Sequence, residues 1–570
     1  MNRRREHPPA EPAAIESAAT IPRERSWVLA GAAGVLLAGY FIQCTLSAYR
    51  TSATFDEPVY IAAGDVFLQE GSHRVKRDAP PLISTLTGWA VRVSGGSRGV
   101  EAGAESALQQ AESNEYTFAT AYFRLHKERA RQIIRAARFP IACLGLILGF
   151  ILFLWARELY GPAGGLVAAG LFCVEPNLIA HGAIVSADLG LATFFCAAHY
   201  AYWRWVRKRS VGRMFLLAVS VALCVAVKFS GLLIFLSLGI LFAWELLRPS
   251  PEGAGDGSVD PKAGRKRLLI EGLRALALAA ALTWLLIAIL YRSPSGLSSY
   301  IDGVRTIYGN LNPNYYAYLL GEFKQGTWPH YYLVAVALKT SPALLLLVVL
   351  GCLAWGKNRG RRRELATILL PIALVHFVCA WDRADLGLRR VLLTYPMMIL
   401  CAARVARWME FKWPPMKMPR LEASRTLAAV ALCAGAALSN LRIQPHPLTY
   451  FNFLAGGPDG AHRFLDDSNL DWGQGLPALK ACMEANGIPS VRLSYFGTDL
   501  PENYGISCQR MTLADFAKPG REVYAVSIHM LIRQRLYERL FHAPEMDWLT
   551  RFKPSAILDH NFYIYDFRER

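Results

Sequence analysis

The chain has 570 residues, 53% hydrophobic and 19% charged, with a formal net charge of +18 and a mean hydropathy of +0.23. A composition this apolar excludes an ordinary soluble enzyme and argues for a membrane protein. The basic residues fall in short clusters between apolar runs rather than along one face, which speaks against a nucleic-acid binder and fits membrane topology.

The first apolar run, Trp27 to Tyr49, is long enough to span a membrane and lacks a small-residue cleavage site, so it is expected to be an anchored helix rather than a cleaved signal peptide. Further runs bring the expected total to about eleven spans, near 27–49, 138–156, 162–180, 187–204, 213–228, 229–247, 268–291, 331–355, 365–380, 391–407 and 425–440. With the N-terminus inside, the basic clusters Arg3 to Arg5, Arg204 to Arg213, Arg265 to Arg267 and Lys357 to Arg363 all fall on the cytoplasmic side. Two basic stretches fall on the far side, His73 to Arg77 and Lys127 to Arg138, and are expected to be functional or surface-lying.

The expected organisation is a cytoplasmic tail (1–26), a transmembrane part (27–440) with outer loops at 50–137 and 292–330, and an extracytoplasmic α/β domain (441–570). The stretch Pro249 to Gly264 reads as a Gly/Pro-rich inside linker. In the last part, VRLSYFG, REVYAVSIHM and AILDHNFYIYDF alternate like strands, and LPALKACMEANG reads as a helix ending at Gly487. No internal repeat is evident, which weighs against a transporter built from duplicated halves. Cys482 and Cys508 stand apart from the spans, and in an oxidising compartment they are candidates for a disulfide.

The segment TFDEPVYIAAG, Thr54 to Gly64, puts two carboxylates, Asp56 and Glu57, at the outer mouth of the first span, and a PPL segment follows at Pro80 to Leu82. Together with RAARFPIACLGLILGF, LYGPAGGLVAAGLF, EPNLIAHGAIVSADLGLATFF and VKFSGLLIF, it resembles the GT-C membrane glycosyltransferases of the protein O-mannosyltransferase and aminoarabinose transferase type. The resemblance implies a mainly α, polytopic fold that transfers a sugar, mannose or similar, from a polyprenyl-phosphate donor to a protein, lipid or envelope-glycan acceptor at the outer face. It implies that Asp56 is the catalytic carboxylate. A base is chemically reasonable there, because inverting transfer needs a group to take the acceptor hydroxyl's proton. Asp before a helix is also a common N-cap, and both readings stand at this point. Glu57 is expected to touch the acceptor or to hold Asp56.

A lipid-phosphate leaving group calls for cations. WDRADLGLRRVLLTYP supplies Arg383, Arg389 and Arg390, with Arg389 the best match to the family's Gly-x-Arg, and Lys228 and Lys339 are further candidates for the same phosphate. Each of these is also open to snorkelling at the interface. His181 and Asp188, in AHGAIVSAD, are candidates for the donor sugar, with Asp188 or Ser186 alternatively a helix cap. The run DSNLDWGQ recurs in one bacterial branch of the family. Its Trp472 and Asp471, with Asp467, Asn469 and Gln474, suit either carbohydrate binding or local packing. The family's frequent His before the two prolines is replaced by Ala79. No metal-ligand spacing is present, so no obligatory metal or other cofactor is expected beyond the lipid-linked donor, and no nucleic-acid partner. The competing classes are a polyprenyl-linked lipid transporter or flippase, and a membrane-anchored carbohydrate-binding scaffold.

Overall fold

The computed structural model describes residues 23–96, 114–247, 261–310, 314–354, 362–382, 384–408, 420–541 and 548–569. Outside these lie Arg3 to Arg5, Arg383, most of the expected linker and most of the cluster Lys357 to Arg363. The protein is mainly helical. The helices that bear on the site are α1 (Arg23–Arg50), α2 (Glu57–Glu70), α3 (Leu82–Val93), α4 (Glu115–Leu125), α5 (Ala130–Tyr160), α6 (Pro162–Cys173), α7 (Pro176–Gly182) and α8 (Ala187–Arg207). They are followed by α9 (Val211–Val227), α10 (Leu233–Leu247), α11 (Pro261–Leu290) and α12 (Gly296–Asn310). A hairpin of β1 (Tyr316–Leu319) and β2 (Glu322–Gln325) leads to α13 (Tyr331–Lys339), α14 (Pro342–Leu353), α15 (Arg362–Cys379), α16 (Tyr395–Ala403) and α17 (Arg420–Ile443).

Every run expected to span coincides with helix, but not every one is by itself long and apolar enough to cross a membrane. Among the described residues, 6 helical stretches are long and apolar enough to cross a membrane, or up to 8 if two bent pairs are each taken as one span. The expected spans at 162–180 and 331–355 are those pairs, bent by 65° and 111°. The physical reason is local. Glu175 accepts a hydrogen bond from the Asn177 amide and Ser341 from that of Leu344, and Pro176 and Pro342 follow as first helical residues, so each break is a capped restart.

The described residues of the expected outer loop 50–137 are largely helix, supplying α2, α3 and α4. α2 and α3 cross in backbone contact: a Cβ on Gly64 would meet the Ser84 carbonyl oxygen at 1.9 Å, so only glycine permits the approach. The polar side chains that make this region look loop-like satisfy one another, as Asp65 does by accepting from Arg92 Nε at 2.8 Å and Tyr122 Oη at 2.9 Å.

After α17 the chain runs through short helical turns into α18 (Leu476–Ala485), and then forms a five-stranded sheet with neighbours in the order β4 (Cys508–Arg510), β3 (Val491–Ser494), β5 (Val523–Ser527), β7 (Phe562–Asp566) and β6 (Ala556–Leu558). β4, β3 and β5 are parallel, and β7 is antiparallel to β5 and β6. The stretch AILDHNFYIYDF is therefore two strands joined at a turn, where Asp559 and His560 both take positive φ. Cys482 and Cys508 are both free thiols packed at the edge of the sheet's apolar cluster.

Candidate active site

Asp56 ends the connection from α1 to α2. Its side chain makes no cap hydrogen bond to α2, whose first turn is instead served by Pro58, which has no N–H to satisfy. The carboxylate points elsewhere: Oδ2 accepts from Arg389 Nη1 at 2.8 Å, and Tyr116 Oη lies 3.5 Å from Oδ1. This ion pair is half-open, with side-chain exposures of 20% for Asp56 and 17% for Arg389.

Glu57 is the opposite case. It is fully buried, and its four bonds saturate it: Oε1 accepts from Arg138 Nε and the Val185 amide, each at 2.8 Å, and Oε2 from Arg138 Nη2 and the Thr54 amide, each at 2.7 Å. Arg138 also donates to the carbonyls of Ala48 and Ser52. With all four bonds made inside the chain, Glu57 fits the second of its expected roles, holding Asp56: the pair ties α1, α2, α5 and the turn before α8 together directly behind Asp56. A bidentate guanidinium suits this, because each remaining N–H finds a carbonyl.

Arg389 sits in the first turn of a 3-10 helix (Leu388–Thr394) that follows Gly387, which has φ +85° and where a Cβ would collide with Ser468 Oγ at 2.3 Å. Arg389 Nε donates to the Leu386 carbonyl at 3.1 Å, and the guanidinium lies 4.4 Å from the Trp472 ring centroid. Arg390 turns away to pair with Asp382, so it does not join Arg389.

On one flank, Lys228 Nζ donates to Asp188 Oδ1 at 2.6 Å; the lysine keeps 31% of its side-chain exposure while Asp188 is buried. His181 is buried with its Nδ1 unpartnered, 6.2 Å from Trp472 between ring centroids. Asp188, His181 and Arg389 are near enough to feel one another's charge. On the other flank, Lys76 donates to Asp78 at 2.9 Å and lies 3.5 Å from Glu115 and 4.9 Å from the Tyr60 ring centroid. Burial pushes the Glu115 carboxyl above the usual range against the pull of Lys76, and burial likewise raises the Tyr60 and Tyr116 hydroxyls, helped for Tyr116 by the Asp56 charge.

Three expected site residues are buried and engaged within the chain. Lys339 is buried and donates all three N–H bonds to the carbonyls of Leu448, Tyr450 and Asn469, leaving none for a phosphate. Trp472 is 2% exposed, packed with Ala180, Ile184 and Leu448, and Arg389 lies over its ring, so it offers no platform to a sugar. Asp471 is fully buried and accepts from the Gly473 and His529 amides.

DSNLDWGQ acts as a clamp on both halves of the site. On one side Ser468 Oγ donates to the Leu386 carbonyl, and Asn469 Oδ1 accepts from the Leu388 amide at 2.9 Å. On the other, the Ser52 amide donates to Gln474 O and the Phe55 amide to Trp472 O at 2.8 Å. Asp467 accepts from Tyr315 Oη, and Gln474 bonds within the run. The residues that sequence reasoning missed are Arg138, Lys76, Asp78, Glu115 and Tyr116. The first two lie in the basic stretches that break the charge bias of the loops, and that break was their signal.

Among the described residues, no group of three or more His, Cys, Asp or Glu is placed to hold a metal ion.

Residues 129–254 match the family model described as dolichyl-phosphate-mannose-protein mannosyltransferase. A search of the curated proteins finds no match. Among solved structures, the chain is similar to the archaeal oligosaccharyltransferase AglB from Archaeoglobus fulgidus in complex with an inhibitory peptide and a dolichol-phosphate, at 12% identity and a TM-score of 0.50, covering 93% of this chain and 72% of that one. It also aligns with ArnT from Cupriavidus metallidurans bound to undecaprenyl phosphate, at 11% identity and a TM-score of 0.46 over 95% and 97% of the two chains. A third match is the S. cerevisiae protein O-mannosyltransferase Pmt1-Pmt2 complex bound to the sugar donor, at 16% identity and a TM-score of 0.35 over 48% and 34%. The chain therefore has the fold of the GT-C membrane glycosyltransferases.

Proposed function

We propose that this protein is an integral membrane glycosyltransferase that moves one sugar from a polyprenyl-phosphate donor to a hydroxyl acceptor outside the cytoplasm. The observation that carries this reading is the half-open Asp56–Arg389 pair: a carboxylate free of capping duty, beside a guanidinium that lies over the Trp472 ring. On this reading the N-terminus is inside, and the Asp56 face and the sheet region after 441 are outside.

The proposed step uses both partners. The donor phosphate draws Arg389 away from Asp56, and Lys228, the more exposed of the Asp188 pair, supplies the second cation. Asp56 Oδ2, relieved of its partner, accepts the acceptor hydroxyl proton as that oxygen bonds to the anomeric carbon from the face opposite the phosphate. The bond between the anomeric carbon and the phosphate oxygen breaks, its electron pair leaves on polyprenyl phosphate, and the two cations stabilise that charge. Asp188 holds Lys228 in place, and His181, buried beside Trp472, borders the sugar. The fold similarity to a protein seen with dolichol-phosphate supports a lipid-phosphate donor.

The test is release of polyprenyl phosphate from a sugar-labelled donor by the purified protein. Acceptor-dependent release is expected in the wild type and loss of it in Arg389→Ala; movement of intact donor across vesicles without release would contradict the reading.

A further inference from the structure

Behind the Glu57–Arg138 pair, a groove of about 700 Å³ opens between α1, α3 and the first half of α5, within the ~300–1,000 Å³ range of ligand sites. Its walls include Phe41, Ala48, Tyr49, Trp89, Val93 and Phe139. Trp89, Val93 and Phe139 are each more than half exposed, so the groove opens to the side of the helical bundle. Asp56, Asp188, Lys228 and Arg389 are not among its lining residues, and Arg138 stands between it and the Asp56 loop.

One end of the groove is apolar and the other is cationic. Gln132 and Arg135 line it, with the Arg135 guanidinium 4.1 Å from the Tyr49 ring centroid. Arg131 stands one turn before Arg135 on the same helix face, and its guanidinium lies 5.7 Å from the Tyr504 ring centroid. Arg135 lines the groove and Arg131 stands just beyond its lining; among the described residues neither has a carboxylate partner, so two like charges stand one turn apart beside the groove. From Arg135 to Ala142, the lining residue furthest along α5, the rise is about 10 Å, which fits within the ~15 Å of hydrocarbon in one leaflet.

We propose that this groove binds an anionic phospholipid of the surrounding leaflet, with an acyl chain along Phe41, Val93 and Phe139 and its phosphate between Arg131 and Arg135. The occupant is a bilayer lipid distinct from the sugar donor, because the cations proposed for the donor do not line the groove. Arg138 lines the groove and also holds Glu57, Ala48 and Ser52, so the lipid stiffens the wall against which the Asp56 loop is built.

The experiment places the full chain in phosphatidylcholine nanodiscs doped with phosphatidylglycerol carrying a photoreactive group in its acyl chain, and maps the label by peptide mass spectrometry. Label is expected in 41–49, 89–94 and 132–142, about five-fold or more above the same probe with a choline headgroup. Arg131→Gln with Arg135→Gln should bring it to the choline level. Ala90→Trp, which fills the groove and leaves the charges alone, should also remove it. Equal labelling by the two headgroups, labelling spread evenly over the lipid-facing helices, or displacement by polyprenyl phosphate at levels where unlabelled phosphatidylglycerol has no effect would each overturn the proposal.

Discussion

Two ion pairs meet at neighbouring residues and have different characters. The Glu57–Arg138 side of the connection is sealed, with both partners essentially inaccessible and every carboxylate oxygen bonded twice. The Asp56–Arg389 side is open, with a carboxylate held by one good hydrogen bond and a cation cushioned on Trp472. Residue type is nearly the same in the two; solvent access and saturation differ. A saturated buried pair serves the fold, because removing either partner strands a charge, whereas an open pair can exchange partners with a ligand.

This contrast can be broken from the sealed side first. Arg138→Ala leaves Glu57 buried and unpaired, so the folded protein in detergent should lose about 3–5 kcal/mol, seen as a large drop in Tm or failure to accumulate. A wild-type Tm would mean that the pair is not structural. Lys339→Met comes next: it frees three buried carbonyls and should cost about 3 kcal/mol in unfolding, with donor affinity of the folded fraction unchanged. Weakened donor affinity at unchanged Tm would return Lys339 to the phosphate site. On the open side, Arg389→Lys keeps the charge and loses the fork, and should lower kcat/KM for the donor by about ten-fold while leaving Tm within a degree or so. An unchanged kcat/KM would remove the guanidinium from the donor site.

The smallest effect concerns Asp385, in the loop leading to Arg389, where burial pushes the carboxyl up to about 7 while its Oδ2 accepts the Trp328 amide at 2.8 Å. Since the folded state binds this proton more tightly than the unfolded one, its contribution is fully present below about 4 and is lost as pH rises through about 7. Asp385→Asn keeps the acceptor for Trp328 and should flatten the pH dependence of Tm across that window. An unaltered profile would assign the titration elsewhere.

Apolar content made the helices legible, since each of the eleven expected runs is helical, but it was blind to direction. Glu175-Pro176 and Ser341-Pro342 each restart a helix, and hydropathy averaged over those caps. The region 50–137 was expected only as a non-spanning outer segment, and its charges, which interrupt every apolar run, gave no sign of its helices. Pairing across distant segments, Asp65 with Arg92 and Glu57 with Arg138, is what lets it fold as buried helix. The chemistry of Asp56 and Arg389 was legible as residue types in known motifs, while their contact spans a separation of 333 residues that no periodicity reports. Lys228 and Lys339 looked equivalent in sequence, and only the three carbonyls around Lys339 distinguish them. Trp472 suited a sugar platform or local packing equally well in sequence, and its burial with Arg389 on its face favours packing.

On the proposed function, Asp56 does chemistry while Glu57 does construction. Single-turnover sugar transfer, measured beside Tm and donor affinity for Asp56→Asn and Glu57→Gln in nanodiscs, tests this division most directly. Transfer should fall by about 10²–10⁴ for Asp56→Asn, with Tm and donor binding retained. For Glu57→Gln a lowered Tm is expected, with a milder loss of transfer in the protein that folds. Full transfer by folded Asp56→Asn protein would contradict the assignment.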